Sequence, residues 1–263
     1  QFARLSQLEQ QVFYWLAIER EAISLQSLRE DVVQSVSKVR MLTTIEALQH
    51  RSLIEQNESG NFTLQPAIME AVTDRFNELI VQEIIADKLE LFASHALMKA
   101  QAKDYIRKSQ FQLILNVIAQ KLFDLLGRRK LEEKFRQRLI AIHKLPEQQN
   151  DYEAGNILNL LVQTGYDLRG SDFSRLVVWQ AYLQEVNLPE VNFAYADLAT
   201  SVFTDTFGSI LSVALSPYGD LLAAGTATSE IRCWHATSGL PLQTFRGHTN
   251  WVSSVVFSPD GKI

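Results

Sequence analysis

The sequence predicts an α+β multidomain chain, and three observations carry that prediction. Apolar residues recur at helical spacing through most of residues 1–145. Between residues 166 and 205 the recurrence changes to every fifth position, a period that belongs to neither a helix nor a strand. Beyond Gly208, short runs rich in β-branched residues are separated by turn residues. With 263 residues, of which 46% are apolar and 21% charged, several cores can be buried and disorder is not expected.

At the N-terminal end, "LSQLEQQVFYWLAIE" places Leu5, Leu8, Val12 and Leu16 on one helical stripe, with Ser6 as its cap. "SLQSLREDVV" is a second short helix capped by Ser24. "SKVRMLTTIEALQHRSLI" is a third, with Val39, Leu42, Ile45 and Leu48 expected to face inward. "LIEQNESGNFTLQP" reads as two strands around an Asn57–Gly60 turn. Three helices closed by a hairpin make a winged helix-turn-helix over residues 1–66. Residues 67–150 read as a helical segment, with apolar positions such as Ile80, Ile84, Leu91, Leu113, Val117, Leu122 and Leu126. Gly127 separates two of its helices. "PEQQNDYEAG", Pro146 to Gly155, has linker composition. Residues 151–165 contain a capping helix that sets Ile157, Leu160 and Leu161 against the next segment.

That segment carries the five-residue series Leu168, Phe173, Val178, Leu183, Leu188, Phe193, Leu198 and Phe203. A small or β-branched residue stands two places before most of them. On these residues, and on quintets such as "ADLAT" at Ala196 to Thr200, residues 166–205 resemble the pentapeptide-repeat family. The resemblance implies a right-handed β-helix of square section, four quintets to a coil, with the eight series residues pointing inward. Val177, Tyr182 and Val202 replace the Asp or Asn usual before the centre, and Pro189 is expected to interrupt one side. Over residues 206–263, "SVALSPYGD" recurs as "SVVFSPDGK" 42 residues later. With Trp234 ending a strand and the pair Gly247–His248, this resembles the WD-repeat family. It implies the first blade of a β-propeller and the start of a second. Position 235 is His rather than the usual Asp, and Thr228–Ser229 stand where Asp-Gly is usual, which weakens the family's polar network in this blade. His248 is by the same resemblance a structural hydrogen-bonding residue.

Charge is strongly partitioned. Residues 1–98 hold 8 Lys/Arg against 14 Asp/Glu, residues 99–144 hold 12 against 4, and residues 145–263 hold 5 against 12. An acidic winged helix argues against duplex DNA as its partner, because affinity there rests on neutralised phosphates. The basic block, with "GRRKLEEKFRQR", lacks interleaved aromatics apart from Phe135 and reads as a solvated or packing face. No phosphate-binding glycine loop and no paired metal histidines are present. No cofactor or metal is therefore expected, and the chain is not expected to be an enzyme. Its single cysteine, Cys233, reads as core, fits a cytoplasmic origin and excludes a disulfide framework. No apolar run is long enough to span a membrane.

The order of parts resembles the C-terminal half of bacterial NB-ARC-type signalling NTPases of the STAND class. That resemblance implies a nucleotide-binding domain upstream of Gln1, a protein partner held by the propeller, and oligomerisation on activation. The absence of an initiating Met and an end at Ile263 inside an expected strand suggest a piece of a longer protein. The family's Met-His-Asp motif aligns with "FTLQPAIMEAV", which puts Gln65 at the nucleotide-contacting His position. A Gln can donate a neutral hydrogen bond there but carries no charge. The alternatives are a winged-helix transcription regulator reading DNA through residues 38–53, and a WD-repeat scaffold.

Overall fold

Ser6 and Glu9 close the first helix reciprocally. The Glu9 amide donates to the Ser6 hydroxyl (3.3 Å), and the Ser6 amide donates to the Glu9 carboxylate (2.6 Å). The computed structural model describes residues 5–33, 36–145, 151–184, 186–203 and 209–259. The chain divides into two compact units, Gln1–Tyr182 with Leu188–Val202, and Leu183–Asn187 with Phe203–Ile263.

The first unit begins with α1 (Gln7–Glu19), α2 (Leu25–Asp31) and α3 (Lys38–His50). Ser24 and Ser37 cap α2 and α3 by accepting from the amides of Ser27 and Arg40. The antiparallel strands β1 (Ile54–Gln56) and β2 (Phe62–Leu64) come next, their turn held by Asn57 Oδ1, which accepts from the amides of Ser59 and Asn61. The expected stripe on α1 is buried, but so are Phe13, Tyr14, Trp15 and Ile18, so this helix is enclosed rather than amphipathic. On α3 the expectation is corrected. Met41, Ile45 and Leu48 are buried, whereas Val39 is 72% exposed and Leu42 is exposed as well. Positions 41, 45 and 48 share one helical face at i, i+4, i+7, and positions 39 and 42 lie off it.

The chain continues with α4 (Pro66–Ala86), α5 (Glu90–Ser94) and α6 (Asp104–Gln110), which runs without a break through a π-helical turn, Phe111–Leu115, into α7 (Asn116–Leu126). The wider turn inserts a residue and rotates the helix beyond it. Ile114, Leu115, Ile118, Ala119 and Leu122 are therefore buried, while Leu113 is exposed. The side-chain amide of Asn77 donates to the Leu113 carbonyl at 2.8 Å. Gly127, at φ +72°, ends α7 before α8 (Arg128–His143).

The final helix of this unit, α9 (Glu153–Gln163), is buried along most of its length. Of the expected linker, residues 146–150 lie outside the described residues, and Tyr152–Gly155 are core rather than linker. Two asparagines explain why. Asn156 donates to the carbonyls of Phe92 and His95 and accepts from the Leu97 amide. Asn159 donates to the Gln180 carbonyl and accepts from the Tyr182 amide. Each satisfies backbone groups of irregular chain that would otherwise be buried unpaired. At Gly155 a Cβ would lie 1.9 Å from the Trp179 carbonyl oxygen, so helix and quintet backbone touch directly.

The quintets after α9 repeat in conformation as well as in sequence. Arg175, Gln180, Glu190, Tyr195 and Thr200, each two places after a series residue, all have φ between +56° and +62°, and Gly170 is left-handed as well at +71°. Amides of Ser171, Leu176, Val191, Ala196 and Ser201 close the turns onto carbonyls three residues back. This is the type II turn, which requires a left-handed residue in its third place and favours Pro in its second. Pro189 holds that second place, so it forms its turn rather than interrupting a side. Asp167, Asp172, Asn192 and Asp197 each accept from an amide two residues on, which Val177, Tyr182 and Val202 cannot do. Parallel bridges join Asp172 to Asn192, Val177 to Asp197 and Tyr182 to Val202, each 20 residues apart. The series residues Leu168, Phe173, Val178 and Leu183 are buried, while Leu188, Phe193, Leu198 and Phe203 are half-buried.

The second unit contains an antiparallel sheet in the order β3 (Ile210–Leu215), β4 (Leu221–Thr226), β5 (Glu230–His235) and β6 (Pro241–Arg246). Its core is small: Ala223, Cys233, Val252 and Val255, flanked by Ala214, Ile231 and Phe257.

Candidate interaction site

Three acidic and basic side chains converge inside the first unit. Glu19 ends α1 and Asp31 ends α2, and both reach the Lys99 ammonium, at 2.8 and 2.6 Å. Lys99 also lies 5.9 Å from the centroid of the Trp15 ring. The Tyr152 hydroxyl donates to the Asp31 backbone carbonyl at 2.9 Å, which ties α2 to the chain entering α9. A cleft of about 650 Å³ opens over this group, with Tyr152 and Trp179 among its walls. Burial, above all, and the neighbouring Glu19 push the Asp31 carboxyl up to about 7, against the pull of Lys99. On the same indole, His95 is wholly buried, stacked on Trp15 at 5.1 Å with Tyr14 and Phe76 edge-on. Its Nε2 donates to the Gln11 carbonyl, its Nδ1 lies 2.9 Å from the Ser94 hydroxyl, and burial lowers its pKa to about 4.

In the second unit, β3 to β6 pair with Val213 opposite Ala224, Ala224 opposite Arg232 and Leu222 opposite Trp234. Val213 and Leu215 therefore share one sheet face with Leu222 and Trp234, while Leu211 lies at the bulge between Ile210 and Ser212. The other face holds Ala223 and Cys233 and is covered by Val252 and Val255. At Gly225 a Cβ would lie 2.7 Å from the Val252 carbonyl oxygen. The Val252 amide donates to the Thr226 carbonyl, and the Val255 amide to the Ser212 hydroxyl. The Ser216 hydroxyl donates to Asp220 and accepts from the Leu221 amide, which fixes the turn after β3.

Residues 199–235 and 239–263 match the WD domain, G-beta repeat. The chain carries WD repeats. A WD repeat-containing protein of Nostoc sp. is 41% identical over 97% of this chain, which spans 23% of that relative. A second WD repeat-containing protein of Nostoc sp. is 44% identical over 41% of this chain and 7% of the relative. Ribosome assembly protein 4 of Chaetomium thermophilum is 46% identical over 20% of this chain and 10% of its own length. Among solved structures, the WD40 repeats of RRP9 match 18% of this chain and 14% of their own at 40% identity, with a TM-score of 0.18. The chain thus spans less than a quarter of the length of the Nostoc relatives.

In the WD blade, Trp234 lies on β5 beside a bulge in its pairing with β6. Thr228–Ser229 close the turn between β4 and β5 by another route than Asp-Gly. The Thr226 and Thr228 hydroxyls lie 2.9 Å apart, Thr226 Oγ1 donates to the Glu230 carbonyl, and Ser229 is left-handed at φ +66°. Gly247 and His248 are exposed, and among the described residues the His248 imidazole has no hydrogen bond within the blade that precedes it. In the second repeat Val255 is buried, and residues 251–258 form no strand. Cys233 is buried, as expected for a core residue, and burial pushes its thiol pKa up. Gln65 is exposed at the N-terminus of α4 and makes no capping hydrogen bond. Among the described residues no cluster could hold a metal ion, and no helix is long and apolar enough to cross a membrane. Sequence reasoning missed the grouping of Glu19, Asp31 and Lys99. Those residues are 12 and 68 positions apart along the chain, and no spacing rule joins them.

Proposed function

We propose that this chain is a non-catalytic, regulatory and sensor-side portion of a STAND-type signalling NTPase, in which the WD repeats begin a propeller that binds a protein partner. In this reading α1 to α3 with the β1–β2 hairpin are a winged helix that couples to a nucleotide-binding domain upstream, and the quintets are a pentapeptide-repeat β-helix. The observation that carries it is the match over 97% of the chain to one WD repeat-containing protein, which makes the helical unit and the WD repeats one continuous piece. The type II turns every five residues and the bridges 20 apart support the β-helix. The hydrogen bonds from Tyr152, Asn156 and Asn159 support transmission through the first unit, because they join α2, the chain after α5 and the quintets to one helix. Gln65, at the open end of α4, would give the nucleotide a neutral contact.

The exposed side of α3 favours a protein over DNA as its neighbour, since Val39 and Leu42 alternate there with Lys38 and Arg40. A WD-repeat scaffold without any NTPase is the second reading, favoured by comparisons that name WD repeats alone. The test is nucleotide binding by the natural longer protein, together with hydrogen exchange in α3 and α4. Protection of α3 and α4 on adding ADP, absent when the 263-residue chain is used alone, is the expected result. A longer protein that binds no nucleotide, and captures its partner equally with or without it, would leave the scaffold reading in place.

A further inference from the structure

His143 stands at the end of α8 with a carbonyl oxygen at each ring nitrogen. Its Nδ1 lies 2.8 Å from the Leu139 carbonyl, one turn back on the same helix, and its Nε2 lies 3.1 Å from the Ser174 carbonyl in the quintets. A carbonyl only accepts, so each contact needs an N–H on the ring. Neutral imidazole carries one N–H, and its other nitrogen would set a lone pair against a carbonyl oxygen. Turning the ring over puts carbon atoms at both places. Only the doubly protonated ring satisfies this geometry.

The surroundings favour the charge. The Asp172 carboxylate lies 4.0 Å from Nε2, and the C-terminal end of a helix attracts a cation. Hydrogen bonds from Ser174, and then the His143 charge, hold the Asp172 carboxyl below the usual range, so it stays ionised at neutral pH. The imidazole lines a groove of about 550 Å³ and its side chain is 27% exposed, so its proton can pass to solvent. Of the other charged groups on α8 at this groove, Glu132 is paired with Arg128 and Arg136 with Glu133, while Lys144 is exposed. The quintets add exposed Arg169 beside Asp172. From α9 the groove receives Leu161, and Glu153 at the start of that helix is paired with Arg138 next to Asp151.

We infer that His143 is a pH-sensitive clasp, which fastens the C-terminal turn of α8 to the quintets while its ring carries two protons and lets go when one leaves. This inference is independent of the WD repeats and of any nucleotide-binding domain. The neutral ring keeps the bond within its own helix or the bond to Ser174, never both, and it no longer offers a charge to Asp172. The clasp therefore holds in mild acid and opens as pH rises through the range where histidine changes charge.

The experiment is hydrogen exchange of the whole 263-residue chain beside two variants, compared at pH 6 and again at pH 8.5 so that other titrations cancel at each pH. His143→Arg is charged at both pH values and has donors for both carbonyls; His143→Gln is never charged and offers one nitrogen in place of two. At pH 6 the amides of Ile142 to Leu145 in the unmodified chain should be as protected as in His143→Arg, and about tenfold more than in His143→Gln, as for one charge-assisted hydrogen bond. At pH 8.5 they should match His143→Gln and fall about tenfold below His143→Arg. Nitrogen-edited NMR of the unmodified chain should show two ring N–H protons on His143 at pH 6. An unmodified chain that matches His143→Gln at pH 6 or His143→Arg at pH 8.5 would overturn the proposal, and so would a single ring N–H at pH 6.

Discussion

The two units of this chain bury themselves in different ways. The first encloses large side chains, Trp15, Phe13, Phe76, Phe92 and Phe173, and ties irregular backbone to buried asparagines. The WD blade has a core of alanine, cysteine and two valines, and one of its faces leaves Val213 62% exposed beside Leu215. The hydrophobic term grows with apolar area removed from water, about 25 cal/mol per Å². A unit with a deep interior holds itself, whereas a blade covered on one face depends on neighbouring repeats. The difference lies in how much side chain each backbone encloses, since helices and strands alike carry regular backbone hydrogen bonds.

The largest effect should come where the first unit has no slack. Gly155→Ala puts a methyl into the Trp179 carbonyl, and should lower stability by about 3 kcal/mol or more, read from chemical denaturation monitored by tryptophan fluorescence. If Gly155→Ala is neutral, α9 is not seated against the quintets as described. A comparable but opposed pair of effects should appear with pH. His95 has a folded pKa near 4, below its unfolded 6.5, so its neutral form stabilises above pH 6.5 and that stability is lost as pH falls through 4. Asp31, raised from 3.8 to about 7, does the reverse, contributing below pH 4 and losing its contribution as pH rises through 7. Burial holds the Asp151 carboxyl up as well, at about 6, so stability of the native chain should fall as pH rises from 4.5 to 6.5. Asp31→Asn removes one of the two carboxyl slopes and should flatten the profile, and Asp31→Asn combined with Asp151→Asn should expose the His95 slope and become steadily less stable as pH falls across that range. A flat profile in the double variant would mean that His95 is not held neutral by burial.

The same change made in the blade should matter less. Gly225→Ala meets the Val252 carbonyl and the Val255 side chain, and should cost about 1–2 kcal/mol. It should loosen residues 251–258 while leaving the exchange of α1 and α9 amides untouched. The smallest effect is a gain. Thr200 is exposed, β-branched and left-handed at φ +62°, so Thr200→Gly should stabilise by up to about 1 kcal/mol, a rise of a few degrees in melting temperature. A loss of stability there would mean that the Thr200 hydroxyl matters more than its strain.

What the sequence discloses about these regions depends on how local each cause is. The caps at Ser6 and Ser24, the Asn57 turn, the helix end at Gly127 and the five-residue period are set within a few residues, and all are legible. Pro189 misleads because its identity as a breaker is visible while its place in a type II turn is not. The phase of α3 misleads through Val39 and Leu42, since a stripe of four apolar residues offers more than one face. The π turn at 111–115 leaves no compositional mark and shifts every buried position after it. The linker-like "PEQQNDYEAG" misleads because polarity suggests exposure, while Tyr152 and Glu153 are held by Asp31 and Arg138 far away in sequence. The pairing of Lys99 with Glu19 and Asp31 is tertiary in the same sense. No local pattern encodes it.

Hydrogen exchange on the whole 263-residue chain tests the contrast between the units most directly. Amides of α1, α4 and α9 should exchange with the global opening of the first unit, while those of β3 to β6 exchange at least about tenfold faster through an earlier opening. Protection of β3 to β6 equal to that of α1, α4 and α9 would contradict the account, because a blade with so small a core would then be holding itself without neighbouring repeats.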